Sequence, residues 1–491
     1  MIERRTAFGI AAAALCLGIL GDLLFAGGTL DANVTVWVAA AAGAFAMLSR
    51  RVPQGQAAPD WLLVPLVLAA AGFSWREDPV LLFLDLVVIG LTLAAAASPA
   101  IRATGKLLGA EAVDLVVGAL GCVASGVVGP FQVLAGLKPS SESSDGGRRL
   151  RVAAGAARGL LLALPLTLVF GALLVSADAR FERLVARMFS IPIDEVVGHI
   201  FRTGAVGWVG AAVLAVTLVA PPRLPLPAAR RQLIGTVEAN TVLGVLNVLF
   251  LAFVAIQFGN LFGGRVYIMA TEGLTYAEYA RRGFFQLVFV CLLSLPVLLT
   301  LARQADLEPD ARRPFRALAG LQVALLLLIL GSAVHRLWLY IDQFGLSLAR
   351  FHAAAALLWI GATLVWFSAT VLRDRVGYFL RGSLTAGGII LGAMHAINPS
   401  AVVVRTTISK AKAGAELDKE YLASLGADAV PALMEARLQL SANDREVLEY
   451  AMKCHRTASS SDGLYWSYSH WEAVRSWEGS GITGSCDVPK Q

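Results

Sequence analysis

Apolar residues in this chain fall in long, nearly unbroken runs separated by short polar connectors. The runs cover residues 7–26, 34–48, 61–74, 79–97, 158–176, 204–220, 240–262, 276–302, 315–340, 348–372 and 378–397. A helix rises about 1.5 Å per residue and a bilayer's hydrocarbon core is about 30 Å thick, so about 20 apolar residues cross it. The pattern predicts an all-α fold: a polytopic transmembrane helix bundle of about eleven spans, followed by a small C-terminal helical soluble domain.

One apolar stretch does not fit the series. Residues 112–134 carry Asp114, several glycines and Pro130. Counting the stretch as a span would put Lys138, Arg148, Arg149 and Arg151 outside the cell, against the tendency of Lys and Arg to stay cytoplasmic. It is read instead as an interfacial or re-entrant segment on the cytoplasmic side. Arg4, Arg5, Arg50, Arg51, Arg102, Lys106, Arg223, Arg230, Arg231, Arg373 and Arg375 then all fall on that same side. This reading puts the N-terminus in the cytoplasm and the C-terminus outside. If residues 112–134 cross, the spans number twelve and both termini are inside.

The expected organisation is four regions: 1–136, an N-terminal transmembrane part of four spans plus the interfacial segment; 137–158, a hydrophilic cytoplasmic loop; 159–397, the core transmembrane bundle; and 398–491, a soluble helical tail. Composition agrees, with 57% hydrophobic and 15% charged residues against roughly a quarter charged in soluble domains. The net charge of +6 comes from Lys and Arg scattered through the connectors, so it reflects orientation in a membrane; no nucleic-acid partner is expected.

The hairpin of residues 240–302 holds the densest candidate chemistry. Thr275 and Glu278 have capping-box spacing. Glu272, Tyr276, Glu278, Tyr279, Arg281 and Arg282 would then gather at the membrane surface, either as a site for a lipid headgroup or polar substrate, or as an aromatic belt on a charge-paired helix end. Asn240, Gly244 and Asn247 share one helix face, a pattern typical of close helix packing. Asn240, Asn247 and Gln257 are candidate intramembrane polar groups. So is Asp85, the only carboxylate placed clearly at membrane depth, which a proton or cation relay could use. His335 and Arg336 lie in the last two turns of the 315–340 run. They could pair with Asp342 or Glu272, or snorkel to the interface.

Four ordered strings, GLTYAEYARRGFFQL at 273–287, LYIDQFGLS at 339–347, INPSAVVVR at 397–405 and LDKEYLASLGADAVPALM at 417–434, resemble a bacterial multi-pass membrane family, domain of unknown function 4173. The resemblance covers roughly residues 150–480. It implies a multi-pass fold and carries no established activity.

The tail changes material. Asp418 caps a helix closed by Gly426, a second helix starts at Asp428 with Pro431 in its first turn, and a third follows Ser441. Trp466, Trp471 and Trp477 lie close together and are expected to bury against these helices, ahead of the alternative that they sit on the membrane surface. In an extracytoplasmic tail, Cys454 and Cys486 are a candidate disulfide closing a loop of about 30 residues, worth roughly 3 kcal/mol. No metal site is expected, because His455 and His470 lack ligand spacing. No cofactor is expected either, since Walker, GxGxxG, HExxH, GxSxG and paired CxxC motifs are absent from the sequence.

Three functions stay open, in this order. The first is a membrane scaffold or signalling component in a bacterial plasma (inner) membrane, presenting its C-terminal domain to an extracytoplasmic protein or lipid partner. The second is a transporter of a small polar or ionic solute. The third is a membrane enzyme acting on lipid or glycan at the outer surface.

Overall fold

The structure is a computed structural model. It describes residues 4–26, 30–53, 56–107, 109–137, 193–219, 236–262, 284–304, 309–414, 417–442, 445–446, 448–449 and 466–477. The expected surface cluster Glu272, Tyr276, Glu278, Tyr279, Arg281 and Arg282, the expected span at 158–176, and Cys454 and Cys486 lie outside these residues.

Among the described residues every regular element is helical: α1 (Arg4–Leu24), α2 (Ala32–Ser49), α3 (Leu63–Trp75), α4 (Pro79–Ala97), α5 (Pro99–Thr104), α6 (Ala112–Gly136), α7 (Ile193–Leu218), α8 (Thr236–Phe262), α9 (Phe284–Gln304), α10 (Pro309–Phe344), α11 (Leu348–Thr370), α12 (Phe379–Ile397), α13 (Pro399–Lys412), α14 (Lys419–Ala423), α15 (Val430–Arg437) and α16 (Tyr468–Trp477). Nine of the described helices are long and apolar enough to cross a membrane: α1, α2, α4 and α7 to α12. The apolar run at 61–74 is a short 3-10 turn followed by the 13-residue α3, which is too short to join the nine.

The helix starts are written locally. Asp78 accepts hydrogen bonds from the Val80 and Leu81 N–H groups, and Pro79 occupies the first turn of α4, where its missing N–H costs nothing. Ser98 and Asn398 cap α5 and α13 in the same way, each again followed by Pro. Gly105, at φ 66°, closes α5 in the left-handed conformation that glycine adopts without strain.

Two apolar cores build the bundle. The first joins α1, α2, α4, α6 and α7 through Ile10, Leu17, Phe45, Leu115, Val133 and Leu214, so it draws helices from both sides of the 137–158 loop. The second joins α8 to α12 through Leu243, Leu298, Leu326, Ile329, Leu364 and Phe367. Along the first core, α1 and α7 run antiparallel at close range. A β-carbon on Gly18 would reach 3.0 Å from the Gly207 Cα, the small-residue packing common between membrane helices. A third cluster, Val403, Ile408, Leu422, Leu425, Leu433 and Leu448, is the core of the tail helices.

Hydrogen bonds and ion pairs fix which helix ends lie together. Ser74 at the end of α3 donates to Thr35 at the start of α2 at 2.6 Å, and Asp22 near the end of α1 meets His199 at the start of α7 at 2.6 Å. Asp78 and His352 join the starts of α4 and α11, while Arg76 reaches the end of α12. All of these termini therefore gather at one end of the bundle. At the opposite end, the buried Arg102 donates through its guanidinium to the carbonyls of Ala96, Gln56 and Val216, tying the last turns of α4 and α7 together. α6 touches α4 and α7 at several points: Gly118 against Ala94 and Ser98 of the α4–α5 junction, Gly129 against Ala215 of α7, and the Gly126 carbonyl accepting from Trp208 Nε1 at 3.2 Å.

Candidate functional site

A polar cluster occupies the turn between α3 and α4, whose sequence is Arg76-Glu77-Asp78-Pro79. Arg76 is buried. Its Nε donates to the His395 carbonyl at 2.9 Å, and its Nη1 lies 3.3 Å from Asp428 Oδ1 and 3.4 Å from Ser469 Oγ. The other oxygen of Asp428 accepts the Glu77 N–H at 2.9 Å, and the Asp428 carbonyl accepts from Asn398 Nδ2 at 2.9 Å. Ser469 also donates to the Trp75 carbonyl at 2.9 Å and contacts Asp428 directly, while Ser467 donates to Glu77 Oε1 at 2.6 Å. Four distant parts of the chain thus meet on one turn: α3–α4, the end of α12, the start of α15 and the start of α16.

Directly beneath lie two carboxylate–histidine pairs on α4. Asp78 and Asp85 are seven residues apart, two helical turns, and so share a face. Asp78 Oδ2 lies 3.0 Å from His352 Nε2 of α11, and Asp85 Oδ2 lies 3.1 Å from His395 Nε2 of α12. The Asp85–His395 pair is nearly sealed, at 2% and 6% side-chain exposure. The His395 ring stacks on Trp75 with centroids 5.9 Å apart. Burial alone would raise the Asp78 carboxyl, but the His352 ring and the Val80 and Leu81 amides outweigh it and hold the group below the ordinary carboxylate range. Such pairs hold a proton or a charge at a defined point.

A further acid–histidine contact lies on the first core. Asp22 takes His199 Nδ1 at 2.6 Å and Arg202 Nε at 2.9 Å. His199 is half-exposed there and Asp22 nearly covered.

Of the described candidate residues singled out from sequence, Asp85 belongs to the cluster, whereas Asn247 and His335 are placed elsewhere. Asn247 donates to the Leu318 carbonyl at 2.9 Å, a helix-packing bond between α8 and α10, and Asn240 lies one helix-face repeat before it on α8. Gln257 also lies on α8. His335 is exposed and stacks on Trp338, whereas the adjacent Arg336 is buried. The Asp342 carbonyl accepts from Lys410 of α13 at 3.0 Å. Asp428 lies in the turn that leads into α15, close to the expected helix start, and its carboxylate meets Arg76 and the Glu77 N–H. Trp466 and Trp471 remain half-exposed at 49% and 44%, which corrects the expectation that the tail tryptophans mainly bury; Trp477 packs against Ala427, Val430 and Ala473. Among the described residues no group of three or more His, Cys, Asp and Glu side chains is arranged to hold a metal.

The long apolar helices and their buried charge pairs define an integral multi-pass membrane protein. Residues 63–436 match the family described as domain of unknown function DUF4153, and the chain belongs to that family. The resemblance to domain of unknown function 4173 is thereby corrected: the family is a different one of unknown function, and its match begins at residue 63, taking in α3 and α4. No curated protein and no solved structure matches the chain.

Proposed function

We propose that this protein is a scaffold or signalling component of a bacterial plasma membrane that holds its C-terminal helices as a fixed cap on the outer end of the bundle. The observation that carries the reading is the buried Arg76–Asp428 pair together with the bond from Arg76 to His395. It ties the tail to the membrane helices through charge rather than leaving it on a linker. Buried pairs of this kind add little net stability but can fix one arrangement against others. The half-exposed Trp466 and Trp471 and the exposed Leu438 leave apolar side chains on the cap for an extracytoplasmic protein partner, with the bilayer alongside.

The gathering of helix ends supports the expected topology. α5 ends at one end of the bundle and α7 starts at the other, so an odd number of crossings separates them. The placement of the α6 contacts beside Ala94 and Ala215 favours α6 as the segment lying along the cytoplasmic face. The reading keeps the N-terminus inside and the tail outside, where Cys454 and Cys486 would be oxidised.

A second reading has its own observation. The two Asp–His pairs on one face of α4 would suit proton coupling in a transporter of a small solute. Two of the polar groups expected along a path do not converge on them: Asn247 is bonded into α10 and His335 is exposed.

Complementation of a deletion strain separates the two readings. Asp428→Asn should abolish function while the membrane level of the protein holds, and Asp85→Asn should retain it. Retained function with Asp428→Asn and loss with Asp85→Asn would overturn the scaffold reading in favour of proton-coupled transport.

A further inference from the structure

Helices α8 and α9 both pack on α10 and leave a groove between them. Leu246 and Phe250 of α8 form one wall, Val297 and Ser294 of α9 the other, and Leu293, more than half exposed, marks the mouth. The cavity is about 200 Å³, against roughly 30 Å³ for one water in the liquid. Its floor is Gln322 of α10.

Gln322 is 1% exposed, and neither its amide oxygen nor its amide nitrogen has a hydrogen-bond partner among the described residues. Asn247 Oδ1, beside the Leu318 carbonyl one turn earlier on α10, is likewise unmatched. In a membrane no bulk water enters to satisfy such groups, so an unmatched buried amide is costly and usually marks a missing partner. Ser294 donates its hydroxyl to the Val290 carbonyl at 2.7 Å and keeps its oxygen free to accept. The lining offers two amide N–H donors and neutral acceptors, and no charged side chain. An ionised carboxylate or phosphate would stay uncompensated there. A hydroxyl, ester or amide would be matched.

We propose that the groove is a binding site for a single-chain neutral amphiphile. Its uncharged polar group hydrogen-bonds Gln322, and its apolar chain lies between α8 and α9. The site is separate from the polar cluster at the α3–α4 turn and stands or falls independently of the scaffold reading.

The test uses the full-length protein in phosphatidylcholine nanodiscs and a monoacylglycerol carrying a photoactivatable diazirine in its chain. Crosslinks are mapped by mass spectrometry. Wild-type protein should label within residues 243–250 and 290–298, and excess unlabelled monoacylglycerol should suppress the signal. Gln322→Leu should cut labelling on the order of tenfold, the effect of losing one or two neutral hydrogen bonds. Its melting temperature should be unchanged or raised, because an unmatched amide has been removed. If Gln322→Leu does not fold, Val297→Phe fills the groove and should remove the same crosslinks while leaving the amide in place. Equal labelling of wild type and a folded variant, or wild-type labelling absent from both segments, would overturn the proposal.

Discussion

Gly72 and Asp85 face each other across the α3–α4 interface so closely that a β-carbon on Gly72 would overlap the Asp85 carboxylate. The missing side chain at Gly72 is what lets Asp85 lie against α3 and reach His395. Gly72→Ala should therefore push Asp85 off His395 and destabilise the protein by about 1–3 kcal/mol, the usual range for overpacking. Asp85→Ala removes the obstructing group, so the double variant should be more stable than the sum of the single effects, with a coupling of about 1 kcal/mol or more. Thermal melting of the four purified proteins measures this. Strict additivity would mean that the overlap is relieved elsewhere.

Arg76 uses its fork twice, Nε on the α12 carbonyl and Nη1 on the tail. Lys carries one compact ammonium and cannot reproduce both. Arg76→Lys should keep the bundle intact but loosen the cap. Arg76→Ala leaves Asp428 buried and unpaired, at a cost of roughly 3–5 kcal/mol. Trypsin added to the purified full-length protein reads the difference: cutting within residues 399–437 should rise in the order wild type, Arg76→Lys, Arg76→Ala. An unchanged cutting rate in Arg76→Ala would show that apolar packing alone holds the tail.

The bundle was legible because a run such as 79–97 is long, apolar and flanked by a cap, and those signals are local. The unusual standing of Asp85 was legible too, since one carboxylate in such a run stands out. What it pairs with was not. His395 is 310 positions away and sits at the end of an apolar run, where a lone His carries no periodic signal. Asp428 read as a helix start, and Arg76, as one charge in a short connector, drew no notice, because a buried cross-chain pair resembles two ordinary surface charges until the chain is folded. The spacing of Asp78 and Asp85, two turns apart on one face, was the one available hint of a paired site. His335 and Asn247 show the converse: polar residues in apolar runs that turn out to be a surface ring and a packing bond.

The acid side of the stability profile should carry the signature of Asp78. Its folded carboxyl titrates below the ordinary 3.8. The unfolded state binds the proton first, so the stabilisation is complete above about pH 4 and fades as pH falls through the lower folded value. Asp78→Asn keeps a good helix cap and removes the charge. Wild type should melt higher than the variant at about pH 6, and the two curves should converge as the pH falls through the lowered folded value. Parallel curves across this range would mean that the Asp78 charge adds nothing beyond its capping bonds.

Arg102 gives the last test, at the opposite end of the bundle. Burial pushes its guanidinium down to about 10, still far above neutral, so the group stays charged while it serves the carbonyls of Ala96, Gln56 and Val216. Helix C-termini leave carbonyls without partners, and a cation there also opposes the helix dipole. Arg102→Ala strips all three carbonyls at once inside a nearly closed site. With about 1–3 kcal/mol for each buried polar group left unmatched, the loss should reach about 3 kcal/mol or more. Hydrogen exchange should quicken at residues 56–58 and 213–218 together, because one side chain holds both segments. Arg102→Lys, with one ammonium for three carbonyls, should fall between. A melting shift within about 0.5 kcal/mol of wild type, the usual range for surface substitutions, would mean that the helix ends find other partners when the clamp is removed.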